Sequence, residues 1–129
     1  GTGIDIVETA RVRQSIERFG DRFLARCFLP DEIEYCSSMR FPALHLAARF
    51  AAKEAISKAF GTGIGRQLGW KDMEIRRRES GEPYAVLHGK GSEYARARGI
   101  TKIFVSLSHC SDYAAAHAVV VGDSMEAGE

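Results

Sequence analysis

Apolar positions along this chain recur first at helical spacing and later in alternation. Thr2 to Val7 places Ile4, Ile6 and Val7 around Asp5, which predicts a short strand carrying one inward or edge-facing carboxylate. From Thr9 to Phe19, Val12, Ile16 and Phe19 recur with helical period and Gly20 supplies a stop, so an amphipathic helix is expected there. Asp21 to Cys27 allows a further helical turn. Pro30 breaks it and, with Asp31 and Glu32, opens another helix whose acidic residues sit near its positive end. After Pro42 the run Leu44 to Phe60 contains alanines, Leu46, Phe50 and Ile56 with no Gly or Pro, the strongest helix of the chain. Gly61-Thr62-Gly63-Ile64-Gly65 ends it.

The second half changes period. Met73 and Ile75, then Tyr84, Val86 and Leu87, flank Ser80-Gly81-Glu82-Pro83 and predict a hairpin. A short helix is expected from Gly91 to Arg98, stopped at Gly99. Ile103 to Leu107 and Tyr113 to Val121 predict two strands joined through Ser108-His109-Cys110-Ser111-Asp112. Helices first and antiparallel strands later indicate an α+β class, with an antiparallel sheet packed against the long central helix. Residues 1–129 are read as one domain, and 122–129 as a frayed tail.

Composition narrows the class. With 45% hydrophobic and 27% charged residues, the chain is neither a disordered polymer nor a membrane span. Cys27, Cys36 and Cys110 are odd in number and lack a Cys-x-x-Cys pair, so neither a disulfide framework nor a zinc site is expected; they read as reduced, mostly buried thiols. No basic and apolar leader precedes Glu8, which points to the cytoplasm, although the chain does not start with Met and residues can be missing there. The net charge of +1 hides a local excess: Arg11, Arg13, Arg18, Arg22 and Arg26 crowd one stretch. That stretch suits an acidic partner as well as it suits a solvated helix face; no nucleic acid or membrane partner is expected.

Candidate chemistry concentrates on the long helix. Glu54 and Lys58 lie one turn apart on one face, which alone is ordinary helix chemistry. Their face runs into the glycine-rich loop, however, bringing a carboxylate, an ammonium and close-approach backbone together. Arg49 and Lys53 form a second basic ridge. The glycine loop follows a helix C-terminus, so neither a Rossmann nor a P-loop fingerprint applies. Ser106-Leu107-Ser108-His109 offers hydroxyls and an imidazole, but the Gly-x-Ser-x-Gly elbow of a hydrolase is absent. His45, His88 and His117 read as structural histidines.

Three segments together, Gly3-Ile4-Asp5-Ile6-Val7-Glu8, Arg49-Phe50-Ala51-Ala52-Lys53-Glu54-Ala55-Ile56-Ser57-Lys58-Ala59-Phe60-Gly61-Thr62-Gly63 and Ser106-Leu107-Ser108-His109, resemble the holo-acyl-carrier-protein synthases, the short single-domain phosphopantetheinyl transferases. Cys110 departs from the small hydroxyl residue expected there. The resemblance implies that Asp5 and Glu54 bind Mg²⁺, and that Lys58 with Gly61, Thr62 and Gly63 contacts the phosphates of coenzyme A. It also implies that Ser108 and His109 lie near the nucleotide end, with Arg49 and Lys53 as further phosphate partners. A serine of an acidic acyl carrier protein would attack the β-phosphate in line and release adenosine 3′,5′-bisphosphate, as in fatty acid biosynthesis. Glu54, Glu32, His109 or a metal-bound water would take the serine proton. Arg11, Arg18, Arg22 and Arg26 would face carrier carboxylates, and the family resemblance implies a homotrimer with sites between subunits. Two other classes fit the same residues: a module that binds coenzyme A without turnover, and a structural trimer whose Glu54 and Lys58 are a plain helix pair.

Overall fold

The run that follows Pro42 is the element around which the rest is built. The computed structural model describes residues 1–123. In chain order it holds β1 (Thr2–Glu8), α1 (Thr9–Phe19), α2 (Asp21–Cys27), α3 (Pro30–Ser37), α4 (Pro42–Phe60), a 3₁₀ turn (Trp70–Asp72), β2 (Met73–Arg77), β3 (Pro83–Leu87), α5 (Gly89–Ala97), β4 (Ile100–His109) and β5 (Tyr113–Gly122). Pro42 stands in the first turn of α4, where a missing N–H costs nothing. Gly61, at φ 83°, closes the helix in the left-handed region that side chains avoid.

The strands form two antiparallel sheets, β1-β5-β4 and the hairpin β2-β3. The first strand therefore pairs with the last, with Asp5 opposite Ala116 and Ile4 opposite His117. Alternation sends Gly3, Asp5 and Val7 of β1, and Ala114, Ala116, Ala118 and Val120 of β5, toward α4. There they meet Ala51, Ala52, Ala55 and Ala59, all buried. The contact is unusually close: a Cβ on Gly3 would lie 2.0 Å from the Ala55 carbonyl oxygen, and one on Gly1 2.2 Å from that of Ala59. The opposite face of the sheet is apolar and open, with Ile4 68%, Ile6 66% and Phe104 54% exposed.

A buried ion pair fastens the helical half to the hairpin. Glu32 and Lys53 are sealed from solvent and 2.7 Å apart. The Glu32 carboxylate also accepts the N–H groups of Leu29 (2.9 Å) and Ile75 (2.8 Å).

The elements differ from expectation at a few ends. Helix α5 starts two residues earlier than the sequence suggests, at Gly89, and ends at Ala97. Strand β4 runs through Ser108 and His109, which leaves Cys110–Asp112 as the turn: the register pairs Ser108 with Ala115 and His109 with Ala114. Gly122 is the last residue of β5 and Asp123 N–H donates to Gly99, so fraying does not begin at Gly122; 124–129 lie outside the described residues. Cys27 and Cys36 are buried as expected, the Cys36 thiol pushed up to about 11 by burial, whereas Cys110 is exposed.

Candidate active site

Strand β1 is the edge of its sheet, and α4 crosses its inner face, so an inward side chain of β1 meets α4 directly. Asp5 is that side chain. It lines a cleft of about 240 Å³ with Val7, Arg11, Phe23, Phe50 and Glu54. The two acids that the sequence singles out, far apart in the chain, thus share one opening. Lys58 reaches over the strand edge: its Nζ lies 3.1 Å from Asp5 Oδ1 and donates to the unpaired Ile4 carbonyl at 3.1 Å. It does not pair with Glu54, so the i,i+4 helix pair is not what forms.

Glu54 is left with a neighbouring carboxylate and no ion-pair partner among the described residues. Burial first, and the Asp5 charge second, raise its carboxyl above the ordinary carboxylate range, with Lys58 opposing. In the metal-free protein an ionised Glu54 therefore costs stability. That cost is present above the folded pKa and disappears as pH falls through it, since the native state then binds the extra proton. Two carboxylates share this solvent-reached cleft and only Asp5 is paired with a lysine, so Glu54 keeps oxygens that a hard divalent cation can take. Mg²⁺ takes one or two carboxylates and keeps other positions for water and phosphate oxygens, so the donor set fits it. Among the described residues no group of three or more His, Cys, Asp or Glu side chains forms a closed metal cage.

The glycine loop ends α4, as the sequence suggests. Gly61 N–H donates to Lys58, and the N–H groups of Thr62 and Gly63 both donate to Ser57, completing the C-cap of α4. Gly65 N–H goes to Leu68, and the Thr62 hydroxyl to the Gly63 carbonyl. These amides are committed within the chain. The glycines at 61 and 63 are required by their positive φ (83° and 69°), and no atom would crowd a Cβ at either.

A second cleft, of about 410 Å³, lies on the other side of α4 and is lined by Tyr35, Arg49, Glu74, Arg77, Arg78 and Tyr84, among others. Arg49 is 2% exposed; its guanidinium stacks on the Tyr35 ring at 4.6 Å, and its Nε has no partner. Arg77 approaches the same ring at 6.0 Å. His45 packs edge-on against Tyr35, and His109 against His45 at 5.4 Å. Burial, then the neighbouring His109, Arg49 and Arg77, hold the His45 imidazole below its usual pKa range. Arg49 and Glu54 are five residues apart, about 140° around the helix. One α4 thus serves two separate clefts. Ser108 and His109 part company as well, since consecutive strand residues face opposite sides; Ser108 shares the outer face with Ser106.

Two residues named from the sequence lie elsewhere. Lys53 is buried against Glu32 and Cys27, and so is unavailable to a phosphate; Glu32 is sealed by the same pair and cannot take a proton from a substrate. Tyr35 and Arg77 are not singled out by the sequence and His45 reads there as structural; the run Arg76-Arg77-Arg78 is a visible signal for Arg77 alone. Arg11, Arg18, Arg22 and Arg26 are all exposed and, among the described residues, unpaired. Arg11 also lines the Asp5 cleft.

An α4 acid against an edge-strand acid, beside a lysine, is an arrangement suited to a phosphate-bearing substrate. Residues 1–118 match the 4′-phosphopantetheinyl transferase superfamily, and the chain belongs to that family. It is 48% identical over 120 residues to a holo-[acyl-carrier-protein] synthase of Koribacter versatilis, covering 93% of this chain and 96% of that one. It is 49% identical over 126 residues to the Moorella thermoacetica protein of the same name, with 98% and 97% covered. Among solved structures it resembles the Helicobacter pylori holo-[acyl-carrier-protein] synthase in complex with coenzyme A, at TM-score 0.85 and 35% identity over 94% of this chain and all of that one. The Neisseria meningitidis holo-[acyl-carrier-protein] synthase gives TM-score 0.89 at 32% identity, with 94% and 97% covered.

Proposed function

We propose that this protein transfers the 4′-phosphopantetheine group of coenzyme A to a serine of an apo acyl carrier protein, a reading supported by its family and by relatives named holo-[acyl-carrier-protein] synthase. The observation that carries the reading is the convergence of Asp5, Glu54 and Lys58 at one strand edge. In the transfer, the bond from the serine oxygen to the β-phosphorus forms and the bond from that phosphorus to the bridging oxygen breaks. Adenosine 3′,5′-bisphosphate leaves, and the serine proton goes to a base. Asp5 and Glu54 would hold Mg²⁺, which when bound neutralises pyrophosphate charge. Lys58, half exposed beside Asp5, is free to turn its ammonium toward the same phosphates. Of the protein groups able to take the proton, Glu54 is the one that lines this cleft with Asp5.

The Arg49 cleft suits the nucleotide end of the substrate. A buried guanidinium with an unpartnered Nε, backed by Tyr35 and Arg77, favours an anion, and His109 packs on His45, which packs on Tyr35. Because that cleft faces away from Glu54, the same reading includes a homotrimer in which one subunit's Arg49 side meets another's Asp5 side; the open face of Ile4, Ile6 and Phe104 supplies apolar surface for assembly. A role in fatty acid biosynthesis and a cytoplasmic location complete the reading, the latter supported by the buried free thiols of Cys27 and Cys36.

The test is to incubate the protein with coenzyme A, Mg²⁺ and apo carrier and weigh the carrier. A phosphopantetheine-sized mass gain is expected; coenzyme A binding with no gain would favour a binding module. The exposed arginines add a salt signature. Carrier KM should rise with ionic strength and with Arg18→Glu or Arg22→Glu, while coenzyme A KM moves little. A carrier KM indifferent to both would remove the docking role of α1 and α2.

A further inference from the structure

Glu54 must be held to a tolerance that the main contact of α4 does not supply. That contact is largely alanine on glycine and alanine: Ala51, Ala55 and Ala59 against Gly1, Gly3, Ala116 and Ala118. Methyl groups and bare backbone allow close approach but offer little interlocking against a helix that rolls or slides along its axis. Side-chain atoms sit about 5–6 Å from a helix axis, so a roll of about 15° displaces them by about 1.5 Å. Mg²⁺ accepts oxygens at about 2.0–2.1 Å in near-ideal octahedral geometry. Such a roll would carry Glu54 out of register with Asp5.

The residue before Glu54 is anchored in all the ways Glu54 is not. Lys53 Nζ donates to Glu32 Oε1 and to the Cys27 carbonyl, each at 2.7 Å, and lies 5.1 Å from the centre of the Phe28 ring. Through the Glu32 carboxylate the anchor extends to Leu29 at the start of α3 and to Ile75 in β2. One point on α4, adjacent to the metal carboxylate, is thereby tied to α2, α3 and the hairpin. At the far end, Arg98 Nη1 donates to the Phe60 carbonyl at 3.0 Å and checks axial slide. Stability alone does not call for this arrangement, since well-packed apolar pairs commonly replace buried ion pairs at no loss.

We infer that the Glu32–Lys53 pair is a positioning device: it fixes the roll of α4 so that Glu54 faces Asp5 at the separation a divalent cation needs. The inference rests on the metal reading proposed above, and its test separates the two. Mn²⁺ binding to the protein, without coenzyme A, is measured by the loss of the free-ion electron paramagnetic resonance signal. Wild type and Asp5→Ala gauge the metal reading: equal binding by both would sink that reading, whatever Lys53 does. The positioning role is tested by Glu32→Gln combined with Lys53→Met. A cooperative melt is expected, with the Mn²⁺ dissociation constant raised about tenfold or more. Mn²⁺ affinity within about twofold of wild type in the folded double variant would reduce the pair to a structural brace and overturn the inference. Should the double variant not fold, Glu32→Asp, which keeps both charges and draws the anchor back by one methylene, is held to the same two limits.

Discussion

Asp5→Asn and Glu54→Gln should each lower the rate of transfer about a thousandfold, equivalent to roughly 4 kcal/mol of transition-state stabilisation. Both replacements keep side-chain volume and remove one of the two carboxylates that share the cleft. The pair is expected to act as a unit, so the double variant should lose little more than either single one. Steady-state assays across a Mg²⁺ titration check this. Either variant working at wild-type rate with unchanged Mg²⁺ demand would refute the assignment. The two differ in the protein they leave behind. Without the Asp5 charge, Glu54 loses one of the two causes of its raised pKa; without Glu54, Asp5 keeps its contact with Lys58.

Gly3→Ala is expected to disrupt the packing of β1 on α4 with a single methyl. Its Cβ would fall 2.0 Å from the Ala55 oxygen and 2.7 Å from the Ala59 nitrogen, both backbone atoms of α4 that cannot rotate aside. Strand and helix must separate, and a loss of about 3 kcal/mol or more in urea unfolding is expected, at the upper end for overpacked cores. Because Asp5 rides on the same strand two residues on, activity should fall further than the loss of folded protein explains. A variant as stable and as active as wild type would show that β1 and α4 are not in the contact described.

Much of this was legible in the residues. Pro42 and Gly61 bracket α4, and Asp5 and Glu54, both named from the sequence, line one cleft with Lys58 beside Asp5. What was not legible depends on side chains meeting from distant segments. Lys53 looks like a surface lysine because charge is read as exposure, and only the fold reveals Glu32 opposite it. Ser108 and His109 are polar and look like a turn in the sequence, yet cross-strand pairing with Ala115 and Ala114 carries β4 through both. The glycine loop is legible as the stop of α4, but that its amides are taken up in the cap shows only in the fold. Tyr35, His45 and Arg77 come from three separate segments, and no local spacing announces their cluster.

The 140° between Arg49 and Glu54 has a genetic consequence. If one subunit lends its arginine face and the next its acid face to each site, then chains damaged on opposite faces are not equally dead in company. Co-refolding inactive Glu54→Gln chains with inactive Arg49→Met chains would rebuild some junctions from two undamaged faces, so activity should return in the mixture. Two lesions on the same face, Asp5→Asn with Glu54→Gln in separate chains, should give no such complementation.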